Sequence, residues 1–154
     1  AKPMLDKMSG IEQLQSYEFE QIGEWSFGKY KSTKHLSHLK GIQFIVSDTG
    51  FKGGFVYAFT VDSEIVYVGE TTTPMGVRFE GYRYGNPLER DTDNRVKIAI
   101  TEALEAGKSV LIWILSKEEV PYEFAGNKIT ISVNKPIEEW LIRKLSPPLN
   151  NKRI

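Results

Sequence analysis

The sequence contains no cysteine, no net charge and no apolar run long enough to cross a membrane. The missing cysteines exclude disulfides and thiolate metal sites, and we expect a cytoplasmic protein. No signal peptide is recognisable, so we expect no membrane partner. Twenty basic and twenty acidic residues cancel. This balance argues against binding nucleic acid through bulk charge and leaves any such contact to a local patch.

Two short apolar runs, 54–59 and 64–69, each carry one tyrosine and are separated by turn-forming residues. Their content of Val, Ile, Phe and Tyr predicts a β-hairpin. Because side chains alternate along a strand, Tyr57 and Tyr67 each share a face with the residues two positions away. Two phenols can therefore stand on one sheet. The alternative is that both tyrosines are ordinary half-buried strand residues.

The rest of the chain predicts one domain in which helices and strands are mixed. We expect a polar, variable stretch at 116–128 and a loop at 84–91, and the strand at 109–115 is expected to be buried on both faces. The other predicted elements are a helix at 10–17 capped by Ser9, strands at 19–27, 42–46 and a half-buried 129–133, and helices at 92–107 and 136–145.

The segment 29–40 holds four lysines and both histidines of the protein and has no acidic residue. Such a segment can follow a phosphate backbone, with its tyrosine available to stack, or it can be a solvated basic loop. A metal site at its histidines is disfavoured because no carboxylate or cysteine accompanies them. The candidate nucleic-acid contacts are Lys29, Tyr30, Lys31, Lys34, His35, His38, Lys40 and Arg83.

Arg78 and Tyr82 lie four residues apart and share one face if this piece is helical. A guanidinium beside a phenol suits a phosphodiester, because the planar fork neutralises two phosphate oxygens and the hydroxyl donates to a third. The alternative is a surface ion pair of Arg78 with Glu80 or Glu102.

The last predicted helix begins at Pro136 and places Glu138 within the apolar stripe that contains Leu141, Ile142 and Leu145. A carboxylate at such a position is costly unless it is paired or holds a metal ion. We also expect Glu138 in the first turn, where the helix dipole stabilises negative charge. The alternative is a capping carboxylate at the rim of the core.

Taken in order across 54–150, these residues resemble the GIY-YIG endonuclease family. Phenylalanine stands at position 55, where the family usually has glycine, and Glu70 stands where lysine is common, which removes a positive charge from near the phosphate. The matching pieces are Phe55-Val56-Tyr57, Tyr67-Val68-Gly69, Arg78 with Tyr82, Glu138 followed by Leu141-Ile142, and Pro148-Leu149-Asn150.

The resemblance implies an α+β fold, a small mixed, mainly antiparallel three-stranded sheet flanked by helices. This nuclease-like domain would span 51–154 and follow an N-terminal extension, 1–50, that adds DNA contacts. The implied activity is metal-dependent hydrolysis of phosphodiester bonds in double-stranded DNA, with one Mg²⁺ or Mn²⁺ per active site held by Glu138. A bacterial, archaeal or phage origin fits this family.

The resemblance also assigns roles. Arg78 would clamp the non-bridging phosphate oxygens. Tyr57 would be the base for the attacking water, which requires a nearby cation to lower the pKa of its phenol. Tyr67 would position phosphate or water, Tyr82 would share in proton transfer, and Asn150 would hydrogen-bond near the glutamate or the phosphate.

Three functions compete at this point. A sequence-specific restriction-type enzyme fits the compact chain, and a homodimer is the usual assembly of such members. A structure-selective or weakly specific nuclease of repair, recombination or mobile elements would have the same site. A non-catalytic nucleic-acid-binding module would keep the fold without the activity.

Overall fold

The computed structural model describes residues 7–28, 41–47, 53–83, 91–115 and 119–150. All candidate nucleic-acid contacts of the basic segment 29–40 lie outside the described residues, and so does the predicted loop at 84–91 except for its last residue. DNA binding by that segment therefore stays a prediction.

The largest feature is one sheet of five strands. The strands are β1 (Glu20–Phe27), β2 (Ile42–Val46), β3 (Phe55–Val61), β4 (Glu64–Thr71) and β5 (Val110–Leu115). They lie in the order β2-β1-β5-β3-β4, and each neighbouring pair is antiparallel. The predicted α+β class with a mainly antiparallel sheet flanked by helices is confirmed. The sheet has five strands instead of three, because β1 pairs with β5 and brings β2 with it.

The helices in the described part of the chain are α1 (Gly10–Ser16), α2 (Met75–Arg83), α3 (Asp91–Glu105) and α4 (Asn134–Leu145). The cap predicted for α1 is confirmed, because Ser9 and Glu12 form a reciprocal capping box with two bonds of 3.1 Å. None of these helices combines the length and the apolar character needed to span a bilayer.

Helix α4 begins two residues earlier than predicted, at Asn134, with Val133 as the N-cap residue. Glu138 consequently lies in the second turn, so the prediction that it occupies the first turn is wrong. The N-terminal field of the helix falls off within the first turn. Whatever stabilises the ionised form of Glu138 must come from neighbouring side chains.

Two hydrophobic cores lie on opposite faces of the sheet. Alternation along β3 directs Tyr57 and Phe59 to the core under α2 and α3, and Val56 and Ala58 to the core under α1 and α4. The predicted shared face of the two tyrosines is therefore present. Both are buried, Tyr57 completely, so neither is an ordinary half-buried strand residue.

A separate hairpin is formed by β6 (Glu119–Phe124) and β7 (Asn127–Ser132), and every residue of both strands is exposed. The strand predicted at 129–133 is present as β7, but it is exposed instead of half-buried. The stretch predicted as variable and polar at 116–128 contains β6. The connection is a tight turn whose two central residues, Ala125 and Gly126, have positive φ angles of 51° and 77°. Such turns match the twist of the flanking strands.

Gly69 of β4 lies opposite Tyr57 in the strand pairing. A Cβ atom added at Gly69 would lie 2.5 Å from the ring Cζ and 2.6 Å from the hydroxyl oxygen of Tyr57. These separations are too short for any side chain, so the tyrosine ring packs directly on glycine backbone.

We predict that Gly69→Ala lowers the free energy of unfolding by roughly 2 kcal/mol, because the buried Tyr57 ring must move to accommodate the methyl group. The matched control is Gly76→Ala in α2, where an added Cβ meets no atom within 4 Å. This control should gain roughly 0.5 kcal/mol from helix propensity. Denaturant unfolding of both variants measures the difference, and equal effects at the two glycines would contradict the close packing.

Candidate functional site

The site is built around the end of β4, which is an edge strand of the sheet. We call the residues Tyr67–Glu70 the edge segment. Along it, Tyr67 belongs to the core under α2 and α3, whereas Val68 belongs to the core under α1 and α4. Candidate catalytic side chains approach this short piece of backbone from both faces.

On the face of the sheet under α2 and α3, a chain of hydrogen bonds begins at Tyr57, whose ring covers Gly69. The hydroxyls of Tyr57 and Tyr82 are 2.5 Å apart, and Nη2 of Arg78 donates to the Tyr82 hydroxyl at 2.6 Å. The Arg78 guanidinium also lies 4.1 Å from the centroid of the Tyr82 ring. The predicted approach of Arg78 and Tyr82 on one helical face is therefore present, and it reaches Tyr57.

Arg78 forms its ion pair with Asp93 of α3, at 3.2 Å between Nη2 and Oδ1. Glu80, considered above as a surface partner, instead pairs with Arg83 at 3.2 Å. The alternative of a surface ion pair of Arg78 with Glu80 or Glu102 is therefore wrong, because Arg78 pairs with a buried carboxylate. The Arg78 side chain is 19% exposed, so it is held from inside by Asp93 and is still partly open to solvent.

The third tyrosine, Tyr67, packs among the same rings. Its ring is stacked on that of Phe59 with a 5.9 Å centroid separation, and it lies edge-on to Tyr82 at 5.9 Å. Tyr57 lies 6.2 Å away, ring centre to ring centre. Three phenols and one guanidinium therefore share one compact cluster beside the edge segment.

Burial governs the electrostatics of this cluster. It raises the pKa of Tyr57 well above its ordinary value, and the neighbouring Tyr67 adds to the rise, whereas Arg78 opposes it. Burial and the neighbouring phenols likewise raise the pKa of Tyr82. Burial alone would lower the pKa of Arg78, but Tyr57, Tyr82 and Asp93 raise it overall. The guanidinium is therefore charged, and the hydroxyls of Tyr57 and Tyr82 are protonated.

Asp93 is a residue that the sequence pattern did not assign to the site. Because α3 begins at Asp91, Asp93 falls inside the helix and its buried carboxylate reaches Arg78. Gly81 leaves room for it, since a Cβ there would lie 2.8 Å from Oδ2 of Asp93. The sequence does place an acidic residue near the start of an amphipathic helix. The same pattern is found for acidic residues on the surface, so it does not identify Asp93 as a buried partner.

Lys97, one turn beyond Asp93, is a second residue that the sequence pattern did not single out. It is fully buried, and its ammonium donates to the main-chain carbonyl of Arg83 at the end of α2. Burial, together with the charge of Arg83, lowers the pKa of Lys97 to about 8. Lys97 fixes the end of the helix that carries Arg78 and Tyr82.

On the opposite face of the sheet, α4 carries Glu138, whose side chain is only 12% exposed. Its carboxylate accepts a 3.2 Å bond from Lys135. Burial raises the pKa of Glu138, Lys135 lowers it, and the negative charges of Glu70 and Glu139 raise it further. Glu138 is thus electrostatically coupled to Glu70, the last residue of the edge segment.

Asn150 is bound to the outer edge of the same segment. Its Oδ1 accepts from the Val68 amide at 2.9 Å and its Nδ2 donates to the Val68 carbonyl at 2.8 Å. The adjacent Leu149 amide donates to Val66, and Arg95 of α3 donates to the Leu149 carbonyl at 2.6 Å. The asparagine side chain therefore takes the place of a neighbouring strand, and its role toward a phosphate stays a prediction.

Comparison with solved structures shows which fold this is. A mutant of bacteriophage T4 EndoII superimposes with a TM-score of 0.66 and 22% sequence identity, over 93% of this chain and 98% of that one. The restriction endonuclease HPY188I in complex with product DNA superimposes with a TM-score of 0.51 and 18% identity, over 97% of this chain and 88% of that one. No protein-family model and no curated protein sequence matches the chain. The chain therefore has the fold of these two proteins.

We predict that Lys97→Met removes a pH dependence of stability. The pKa of Lys97 is about 8 in the folded protein, against 10.5 ordinarily. Between these two pH values the unfolded chain therefore binds more protons than the folded protein does. The free energy of unfolding of the wild type should therefore rise by roughly 3 kcal/mol from pH 8 to pH 10.5, relative to the variant. Urea unfolding at several pH values measures this, and parallel curves would contradict it.

Proposed function

We propose that this protein is a DNA endonuclease of the GIY-YIG type, with one active centre formed at the edge segment. The observation that carries the proposal is the convergence of the candidate catalytic residues on four residues of β4. Tyr57, Arg78 and Tyr82 are linked to it through Gly69, Glu138 is coupled to Glu70, and Asn150 binds Val68. The fold shared with two endonucleases, one of them bound to product DNA, supports the same function.

Arg78 is the proposed phosphate ligand. Asp93 and Tyr82 hold its guanidinium in place before any substrate binds, and its side chain is still reachable from solvent. A preorganised charge of this kind stabilises the negative charge that develops on the phosphate in the transition state. Its planar fork can bind two phosphate oxygens at once.

Tyr57 and Tyr82 begin the reaction as proton donors, because burial keeps both phenols protonated. Their 2.5 Å contact gives a direct path for a proton between Tyr57 and Tyr82. A base role for Tyr57 requires a second cation close to the cluster, in addition to Arg78, to lower the pKa of the phenol.

A divalent cation fits beside Glu138. The carboxylate is largely buried, and two other glutamates raise its pKa, so a bound cation would relieve an unfavourable concentration of negative charge. Mg²⁺ needs only one or two protein carboxylates, because it keeps most of its water ligands. Lys135, which is 64% exposed, is the group that such an ion would displace. When bound, the ion would polarise water and stabilise the leaving oxygen.

We infer a sequence-specific, restriction-type activity as the most specific form of this function, because the fold spans nearly all of a restriction endonuclease. One observation favours a second candidate, the nucleic-acid-binding module without activity. Tyr57 and Tyr82 are fully buried, so substrate must open the cluster before either can take part in chemistry.

We predict that Glu138→Gln lowers Mg²⁺-dependent cleavage of long unmodified DNA by at least about 100-fold, because it removes the charge that binds the cation. The matched control is Glu139→Gln, the exposed neighbour, which should retain activity within about threefold. A chelator should abolish wild-type cleavage. Agarose electrophoresis of timed digests measures all of these.

The pattern of products separates the candidate functions. Discrete fragments would support a sequence-specific enzyme, whereas a smear, or cutting confined to branched DNA, would support a structure-selective one. Intact DNA under every condition together with a gel shift would support the binding module. Equal activity of the two glutamine variants would contradict the assignment of Glu138.

A further inference from the structure

Lys135 is the second residue of α4 and precedes Glu138 by about one turn of the helix. Its ammonium donates a 3.2 Å bond to Oε1 of Glu138, and its side chain is 64% exposed. A lysine has a flexible stem of four carbons, so packing does not fix an ammonium that lies mostly in solvent. The side chain of Glu138, by contrast, is only 12% exposed. The pair therefore joins a fixed anion to a movable cation.

Negative charges surround the ammonium of Lys135. The hydrogen bond and the charge of Glu138 raise the pKa of Lys135, and burial opposes them. The charges of Glu70 and Glu139 raise it further. Glu70 lies two residues beyond Val68 in β4, so it shares the face of the sheet whose core lies under α1 and α4. Lys135 is therefore the counter-ion of carboxylates from both α4 and β4.

A divalent cation at Glu138, as the proposed function has it, is incompatible with this ion pair. The ammonium would then touch a second positive charge, and like charges at contact distance repel. Lys135 would have to leave the carboxylate, and its three N–H donors would need new acceptors. The anion that reaches the same place during the reaction is the backbone of DNA.

We propose that Lys135 is a transferable counter-ion. In the metal-free protein it neutralises Glu138, and once a divalent cation binds Glu138 it donates to a phosphate oxygen of bound DNA. This inference rests on the proposed function, and it adds a phosphate ligand on the face of the sheet opposite Arg78. It also couples two binding events. The cation frees a group that binds DNA, so DNA favours binding of the cation by the same factor.

The first measurement is the affinity of the full chain for a short DNA duplex, by fluorescence anisotropy, with a chelator and with Ca²⁺. Ca²⁺ takes oxygen ligands as Mg²⁺ does, and a denaturing gel checks that the duplex stays intact. In chelator, Lys135→Met should bind within about threefold of the wild type, because Glu138 already neutralises the lysine. With Ca²⁺ the wild type should bind at least about tenfold more tightly than the variant.

The salt dependence identifies the phosphate contact. With Ca²⁺, the slope of log K against the logarithm of salt concentration should be about 0.9 steeper for the wild type than for Lys135→Met, the value for one phosphate neutralised. In chelator the two slopes should be equal.

The second measurement has the opposite sign. Calorimetric titration of Ca²⁺ into the DNA-free chain should show about fivefold tighter binding by Lys135→Met than by the wild type, because no ammonium has to be displaced. Removal of a lysine with a merely structural role would weaken the binding of both ligands. The matched control is Lys144→Met, an exposed lysine in the last turn of α4, about 14 Å further along the helix. It should change neither affinity by more than about twofold.

The outcomes separate this inference from the function on which it rests. A wild type that fails to bind the duplex or Ca²⁺ would contradict the proposed function together with the inference. If the wild type binds both and Lys135→Met keeps the whole gain in DNA affinity with Ca²⁺, the inference alone is wrong, because the displaced ammonium then goes to another carboxylate or to water. Weaker binding of both ligands by Lys135→Met, or equal effects of Lys144→Met, would also overturn it.

Discussion

The packing of the Tyr57 ring on the backbone of Gly69 is the contact on which the rest of the site depends. Glycine leaves the space into which the ring fits, and the ring then directs its hydroxyl to Tyr82. Tyr82 in turn receives the guanidinium of Arg78, and Asp93 fixes the other side of that group. The absence of a side chain at Gly69 in β4 thus determines the position of the Arg78 guanidinium in α2.

The edge position of β4 explains how groups from both faces of the sheet meet. Neighbouring residues of a strand point in opposite directions, so Gly69 and Glu70 belong to different faces although they are adjacent. The aromatic cluster lies on one side and Glu138 on the other, and Asn150 binds the free outer edge between them. A strand in the middle of the sheet would have no such edge to offer.

The sequence predicted the parts of this arrangement that depend on local periodicity. The phase of Tyr57 and Tyr67, and the four-residue spacing of Arg78 and Tyr82, follow from the geometry of a strand and a helix. The buried roles of Asp93 and Lys97 could not be predicted, because polar residues in an amphipathic helix fit its solvent face equally well. Only packing against α2 gives each of them a partner.

Two further differences have physical causes that a sequence pattern does not reveal. In β6 a proline and two glutamates occupy the positions between the apolar residues, so this part of the hairpin resembled a polar connection. Helix α4 gains two residues before Pro136, which moves Glu138 out of the first turn. Tertiary context decides such boundaries more often than local propensity does.

The central claim is that Arg78 and Glu138, on opposite faces of the sheet, act in one active centre. A double-mutant cycle on the rate of DNA cleavage tests it most directly, using Arg78→Lys, Glu138→Gln and the combined variant. Residues that act as a unit give strongly non-additive losses, so the double variant should be about as slow as the slower single variant. Losses that multiply would show two groups acting independently and would contradict the account.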